Sequence, residues 1–198
     1  LPGIQDGTGQ NYKINDSFPV PNADVILYAK WIEPKLGDIG PAGGFIFYDK
    51  GVFTDGWRYL ESAPSDQSTG IKWNNNEISY TNDSNVGFGE SNTISIVAAS
   101  GLGNYAASIC KDLVINGYDD WFLPSKMELY YLYKNLVDSG STVFGANWYW
   151  SSTEDDHYST AWAKNFTTYT LDFAIYGKGG TPSFEKNFLG GVRAIRSF

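Results

Sequence analysis

Gly117-Tyr118-Asp119-Asp120-Trp121-Phe122-Leu123-Pro124-Ser125-Lys126-Met127-Glu128-Leu129 reads as a turn, a short apolar extended piece and then a helix start. Pro124 disfavours the helical region for Leu123, so the chain enters extended. Ser125 and Glu128 have the spacing of a capping box. The serine oxygen accepts from the Glu128 N–H, and the glutamate reaches back to the N–H of Ser125. Beyond the cap, Leu129, Leu132, Tyr133 and Leu136 recur at i, i+3, i+4 and i+7 and define one apolar face. A helix is therefore expected to about Val137, ended by Asp138-Ser139-Gly140-Ser141. Trp121 and Phe122 are expected as core anchors that feed it. Asp119 and Asp120 suit turn chemistry better than an acid/base pair, because adjacent residues rarely point at one substrate.

Upstream, Ser91–Val114 reads as helix broken at Gly101-Leu102-Gly103. Ile94, Val97 and Ala98 are expected to face inward in its first half. Tyr105, Ile109 and Leu113 do so in the second, with Cys110 packed beside them. Further upstream, Phe45-Ile46-Phe47-Tyr48 and the stretch Gly56–Ala63 read as strands, and Asp55-Gly56 between them predicts a hairpin. The polar stretch Pro64–Gly89 is long for a loop, and such loops are usually functional or mobile. Downstream, strands are expected at Trp148–Ser152, Ala161–Phe166, Thr170–Tyr176 and Gly191–Phe198. In the last of these Val192, Ala194 and Arg196 would share one face. Strands, then two helices, then strands define an α+β domain over 45–198. Gly- and Pro-rich residues 34–44 read as a linker. Residues 1–33 hold a strand at Val25–Lys30 but too few apolar groups for a core of their own.

Composition excludes several classes. The chain is 42% hydrophobic and 18% charged, which is globular rather than disordered. A net charge of −8 argues against a general binder of nucleic acid or anionic membrane. Cys110 stands alone, so no intrachain disulfide forms. No run of about 18 apolar residues is present, so this stretch is not expected to insert in a membrane. The chain opens on Leu1-Pro2-Gly3-Ile4 without an initiating methionine, so a processed form or fragment is expected.

Aromatic residues make up a high 17% of the chain, enough rings to fill the core and to line a ligand surface as well. Trp73-Asn74-Asn75-Asn76 joins a ring to amides. A sugar offers a C–H face for stacking and hydroxyls that an amide can serve as donor and acceptor. With Trp148, Tyr149, Tyr158, Tyr169 and Tyr176 this loop is a candidate glycan surface. Glu154-Asp155-Asp156-His157-Tyr158 is the densest polar cluster and holds the lone histidine. Its hard oxygen ligands would suit Ca²⁺, but it lacks the alternating Asp/Asn ligands and the glycine of a Ca²⁺ loop, so no cofactor or metal is expected. The tail from Thr160 is net basic, and Lys178 with Lys186 would meet a sulfated glycan if both lie on the surface. Arg193 and Arg196 are expected to be structural, paired with acids such as Glu61 or Glu128.

Four phrases stand in order: Gly43-Gly44-Phe45-Ile46-Phe47-Tyr48; Asp119-Asp120-Trp121-Phe122-Leu123-Pro124-Ser125 with Glu128-Leu129; Tyr149-Trp150-Ser151-Ser152-Thr153-Glu154 with Ala161-Trp162; and Val192-Arg193-Ala194-Ile195-Arg196. Together they resemble the Lcl C-terminal-domain-like family, over about residues 36–198. The resemblance implies a C-type lectin-like fold, with two helices flanking antiparallel strands, and a long loop region that displays the ligand surface. It implies adhesion to glycans or to host surface and matrix components, without catalysis, and a homo-oligomer by analogy. Asp24-Val25-Ile26-Leu27-Tyr28-Ala29-Lys30-Trp31, after Gly7-Thr8-Gly9, Tyr12 and Phe18, resembles the back half of an internalin-type B repeat. That implies an extracellular position on the bacterial cell surface. Two other readings stay open on the same fold: an enzyme of the formylglycine-generating type, and a diversified receptor-binding head. A lone, packed cysteine weighs against the first.

Overall fold

The computed structural model describes residues 33–101, 103–137, 140, 144–146, 148–156, 158–167 and 183–198. All but Glu33 belong to one compact unit, Pro34–Phe198. It mixes α and β structure. The reading of residues 1–31 as a partial repeat and of Thr170–Tyr176 as a strand falls outside the described residues.

Strands β1 (Phe45–Thr54) and β2 (Trp57–Ser62) pair antiparallel. Thr54 faces Trp57 across a two-residue turn, with φ of 51° at Asp55 and 83° at Gly56. Positive φ at both central residues matches the right-handed twist of the flanking strands, which is why Asp-Gly serves there. The last strand, β8 (Ile195–Ser197), adds to β2 to give the order β1-β2-β8. A second sheet has the order β3-β7-β4-β5-β6. Its strands are β3 (Ser68–Ile71), β4 (Trp148–Glu154), β5 (Thr160–Asn165), β6 (Ser183–Glu185) and β7 (Gly190–Val192).

The expected final strand is thus two strands in two sheets. The chain crosses between them at Arg193-Ala194, and every residue from Val192 to Arg196 is buried. Both arginines are structural. Arg193 Nη2 lies 2.6 Å from Asp66 Oδ1, and Nη1 donates to the Ala63 carbonyl at 3.0 Å. Arg196 grips Asp120 through two bonds of 2.7 and 2.8 Å and reaches Glu61 at 3.2 Å. Glu61 is among the expected partners, while Glu128 has another role. Asp120 is thereby occupied as an anchor.

Helices α1 (Gly89–Ser100), α2 (Ala106–Lys111) and α3 (Lys126–Leu132) follow β3, and α3 continues as a π-helical turn over Tyr133–Val137. The capping box of Ser125 and Glu128 is formed, and Leu129, Leu132, Tyr133 and Leu136 are all buried. The expected inner face of α1 requires correction: Ile94 is half exposed, and the buried stripe is Gly89, Asn92, Thr93 and Ile96. Its spacing is helical, but two of its members are polar. They are drawn inward by bonds: Asn92 Nδ2 donates to the Asp83 carbonyl at 2.8 Å, and Thr93 Oγ1 accepts from Leu123 N at 2.9 Å.

Trp121–Leu123 divides the interior. Trp121 and Leu123 join the cluster of Trp73, Tyr105, Cys110 and Trp150, whereas Phe122 joins Phe47, Leu60, Leu129 and Tyr149. Alternation of side chains along an extended chain produces this split. Reciprocal backbone bonds between Phe122 and Ile195, 2.8 and 2.9 Å long, lock the divider to β8. Residues 34–44 are tied to β1, with Gly37 N donating to the Ile46 carbonyl at 2.8 Å and Ile46 N to the Asp38 carbonyl at 2.9 Å. No helix among the described residues is long and apolar enough to cross a membrane.

Candidate functional site

The segment after β3 begins as core. Trp73 is fully buried, and its indole N–H donates to the Ser151 carbonyl at 2.6 Å. Asn74 is equally buried. It donates to the Glu77 carbonyl and accepts from Asn76 N, both at 2.8 Å. Half-buried Asn75 donates to the Ser100 carbonyl at 2.9 Å. Trp73 and Asn74 are therefore corrected from a ligand surface to an anchor. Their ring and amide are spent on fixing where the loop leaves the core. Asn76 is exposed, with φ of 69°.

Glu154 and Lys186 need the same correction. Each is at most 3% exposed, and Lys186 Nζ lies 2.5 Å from Glu154 Oε1. Lys186 Nζ also donates to the Glu77 carbonyl at 2.7 Å and sits 5.0 Å from the centre of the Trp73 ring. The Glu154 carboxylate accepts from Ser79 N at 3.1 Å and from Thr81 N at 3.2 Å, while Glu154 N donates to the Thr81 carbonyl at 2.9 Å. One ion pair thus clamps the loop at residues 77, 79 and 81. A charged pair this deep is acceptable only because further hydrogen bonds satisfy it.

The clamp reverses the usual direction of side chains. The backbone N–H groups of Ser79 and Thr81 are held to the carboxylate, and both of these small polar residues are buried. Ile78 and Tyr80 are pushed out, at 47% and 73% exposure. Tyr80 adopts φ of 55°, and across the gap Tyr158 adopts φ of 57°. Their rings meet at 5.3 Å with a 65° tilt, and Asn82 Nδ2 donates to the Tyr158 hydroxyl at 3.2 Å. Left-handed backbone is uncommon for a bulky side chain and persists only where surrounding structure imposes it. Tyr158 was expected from sequence; Tyr80 and Asn82 were not singled out. A usable signal was present in Ile78-Ser79-Tyr80-Thr81, whose strict alternation ends at the asparagine-rich turn.

Asp155 is half-buried and accepts from Thr160 Oγ1 at 3.1 Å and Ser183 Oγ at 3.0 Å, which holds the β4–β5 turn to β6. Asp156 is exposed beside it. His157, Tyr169, Tyr176 and Lys178 lie outside the described residues. Among the described residues, no three His, Cys, Asp or Glu side chains converge as a metal cage. Cys110 is buried, and burial pushes its thiol pKa up, away from reactivity.

A separate pocket of about 370 Å³ opens beside the β1–β2 turn, lined by Trp57, Glu90, Phe122 and Glu128 among others. Glu128 is its fully buried member. Oε1 accepts from Gly87 N at 2.7 Å and Oε2 from Ser125 N at 2.6 Å. The N-cap of α1 is Phe88, which brings no side-chain oxygen, so the Glu128 carboxylate caps α1 from outside as well as capping its own helix. Burial raises its pKa from 4.5 to about 7, against the opposing pull of those N–H donors.

A carboxyl whose folded pKa is raised stabilises the fold fully below its unfolded value and loses that contribution as pH rises through the folded value. Between pH 4.5 and 7 the protein is therefore expected to lose roughly 3 kcal/mol relative to Glu128→Gln. Denaturant unfolding of both proteins across that range checks this, and a pH-independent difference would contradict it.

No protein-family model matches the sequence, and comparison with curated proteins returns no match.

Proposed function

We propose that the chain is the ligand-binding part of a bacterial surface adhesin and that it recognises glycans or host matrix components without chemistry. The observation that carries this reading is the clamped pair of exposed Tyr80 and half-buried Tyr158, with Asn82 beside it. Rings held out to solvent on a rigid base lose little entropy on stacking, which is what a sugar-binding surface requires. The resemblance to the Lcl C-terminal-domain-like family and to a C-type lectin-like plan agrees with it. First and last strands share a sheet, helices flank them, and a long irregular excursion leaves the second sheet. The preceding B-repeat-like residues would place the domain on a surface stalk outside the cell.

The test is a glycan-array and matrix-protein screen with a multimerised chain. Tyr80→Gly is expected to weaken binding about tenfold, because one stacking ring is lost. It should also stabilise the fold by about 1 kcal/mol, because glycine relieves the left-handed backbone. A binding surface is one of the few places where removing a large side chain is expected to raise stability. A blank screen would sink the reading.

A further inference from the structure

We infer that the Tyr80–Tyr158 surface takes neutral, hydroxyl-rich sugars and excludes sulfated or carboxylated ones; this specifies the ligand class of the binding reading and rests on it. The first ground is charge. The described carboxylates nearest the rings in the chain are Glu77 and Asp83, each three residues from Tyr80, and Asp155 and Asp156 just before Tyr158. Glu77, Asp83 and Asp156 are exposed. The lysine best placed to offset them, Lys186, is withdrawn: its ammonium is buried against Glu154 and Trp73. Lys126 feels Asp155 and Asp156, and its ammonium lies 3.4 Å from the centre of the Trp162 ring. Exposed acids thus flank both rings along the sequence, on a chain whose net charge is −8, and this disfavours an approaching polyanion.

The second ground is the chemistry of the rings. A Tyr80 ring 73% exposed presents an apolar face to the C–H face of a pyranose. The Tyr158 hydroxyl accepts from Asn82 Nδ2 at 3.2 Å, which leaves its own O–H able to donate. Asn82 keeps its carbonyl as an acceptor beside it. Donor, acceptor and ring face together match a neutral sugar, whose hydroxyls both give and take. A sulfate only accepts, and among the described residues the lysines nearest this turn are already engaged, Lys186 by Glu154 and Lys126 by the Trp162 ring and the field of Asp155 and Asp156.

NMR titration of the whole chain with gluco-, manno- and galacto-configured neutral hexasaccharides, and in parallel with a heparin hexasaccharide, tests this. Expected are shifts of Tyr80, Asn82 and Tyr158 resonances with at least one neutral sugar, unchanged by added salt, and none with heparin. Tyr80→Gly should weaken the neutral contact about tenfold. The double variant Glu77→Lys with Asp83→Lys should gain heparin binding that salt abolishes. Wild-type binding of heparin at these resonances, with the neutral sugars silent, would overturn the inference and leave the binding reading standing. Silence toward every sugar would also overturn it, and the matrix-protein screen would then decide the broader reading.

Discussion

Lys186→Met is expected to destabilise the protein by about 3–5 kcal/mol, the usual cost of stripping one partner from a buried ion pair. Lys186 and Glu154 are almost entirely shielded from water and lie 2.5 Å apart. Without the ammonium, Glu154 keeps its backbone donors at Ser79 and Thr81, but an uncompensated charge remains inside. The Glu77 carbonyl also loses a donor. The damage should be local as well as global, because these bonds hold the Tyr80 loop in its left-handed turn. Ligand binding should therefore fall more than in Tyr80→Gly. Replacing both partners, Glu154→Leu with Lys186→Met, should recover part of the stability, since no charge is left buried. It should not recover binding, because the N–H groups of Ser79 and Thr81 then lose their acceptor. Urea unfolding with parallel binding measurements separates the two effects. A Lys186→Met protein within 1 kcal/mol of wild type would refute the clamp, as ~3 kcal/mol is the least it predicts.

The clamp also explains what was hard to see in the sequence. Features written in neighbouring residues were legible: the capping box of Ser125 and Glu128, the Asp55-Gly56 hairpin, the helix break near Gly101 and the core role of Trp121. Each depends on local dihedral preference or on a period of 3.6 or 2. Features that depend on a side chain meeting distant backbone were not. Glu154 holds Ser79 and Thr81 inside and leaves Ile78 and Tyr80 out, and no local pattern announces an acceptor 73 and 75 residues away. Asn92 and Thr93 occupy the inner stripe of α1 because Asp83 and Leu123 offer them bonds, so hydropathy alone pointed to Ile94 instead. Trp73 looked like a loop ring because its neighbours are three asparagines, yet the Asn74 and Asn75 amides are engaged in fixing the chain beside it. Strands β3 and β6, four and three residues long, are too short to show a period.

Gly44→Ala should be the most damaging glycine-to-alanine change among the described residues, costing more than about 4 kcal/mol and leaving little folded protein. The reason is space rather than backbone conformation. A Cβ at Gly44 would run into the Ser62 carbonyl, which belongs to strand β2 and cannot move without breaking the pairing of Phe45 with Ser62. It would also stand 3.2 Å from Glu61 Oε1, the atom to which Gly44 N donates at 2.7 Å. Ala42 N reaches the same carboxylate at 3.1 Å, and Arg196 closes it from β8. The Gly-rich segment ahead of β1, read from sequence as a linker, is thus wrapped around Glu61, and Gly44 is the point where backbone touches backbone. Gly51→Ala is the proper control. Gly51 has φ of 83° and open space around its Cβ position, so strain alone should cost about 1–2 kcal/mol there. Circular dichroism and urea unfolding of the two variants give the comparison. If Gly44→Ala proved no worse than Gly51→Ala, the Glu61-centred packing of the first strand would have to be abandoned.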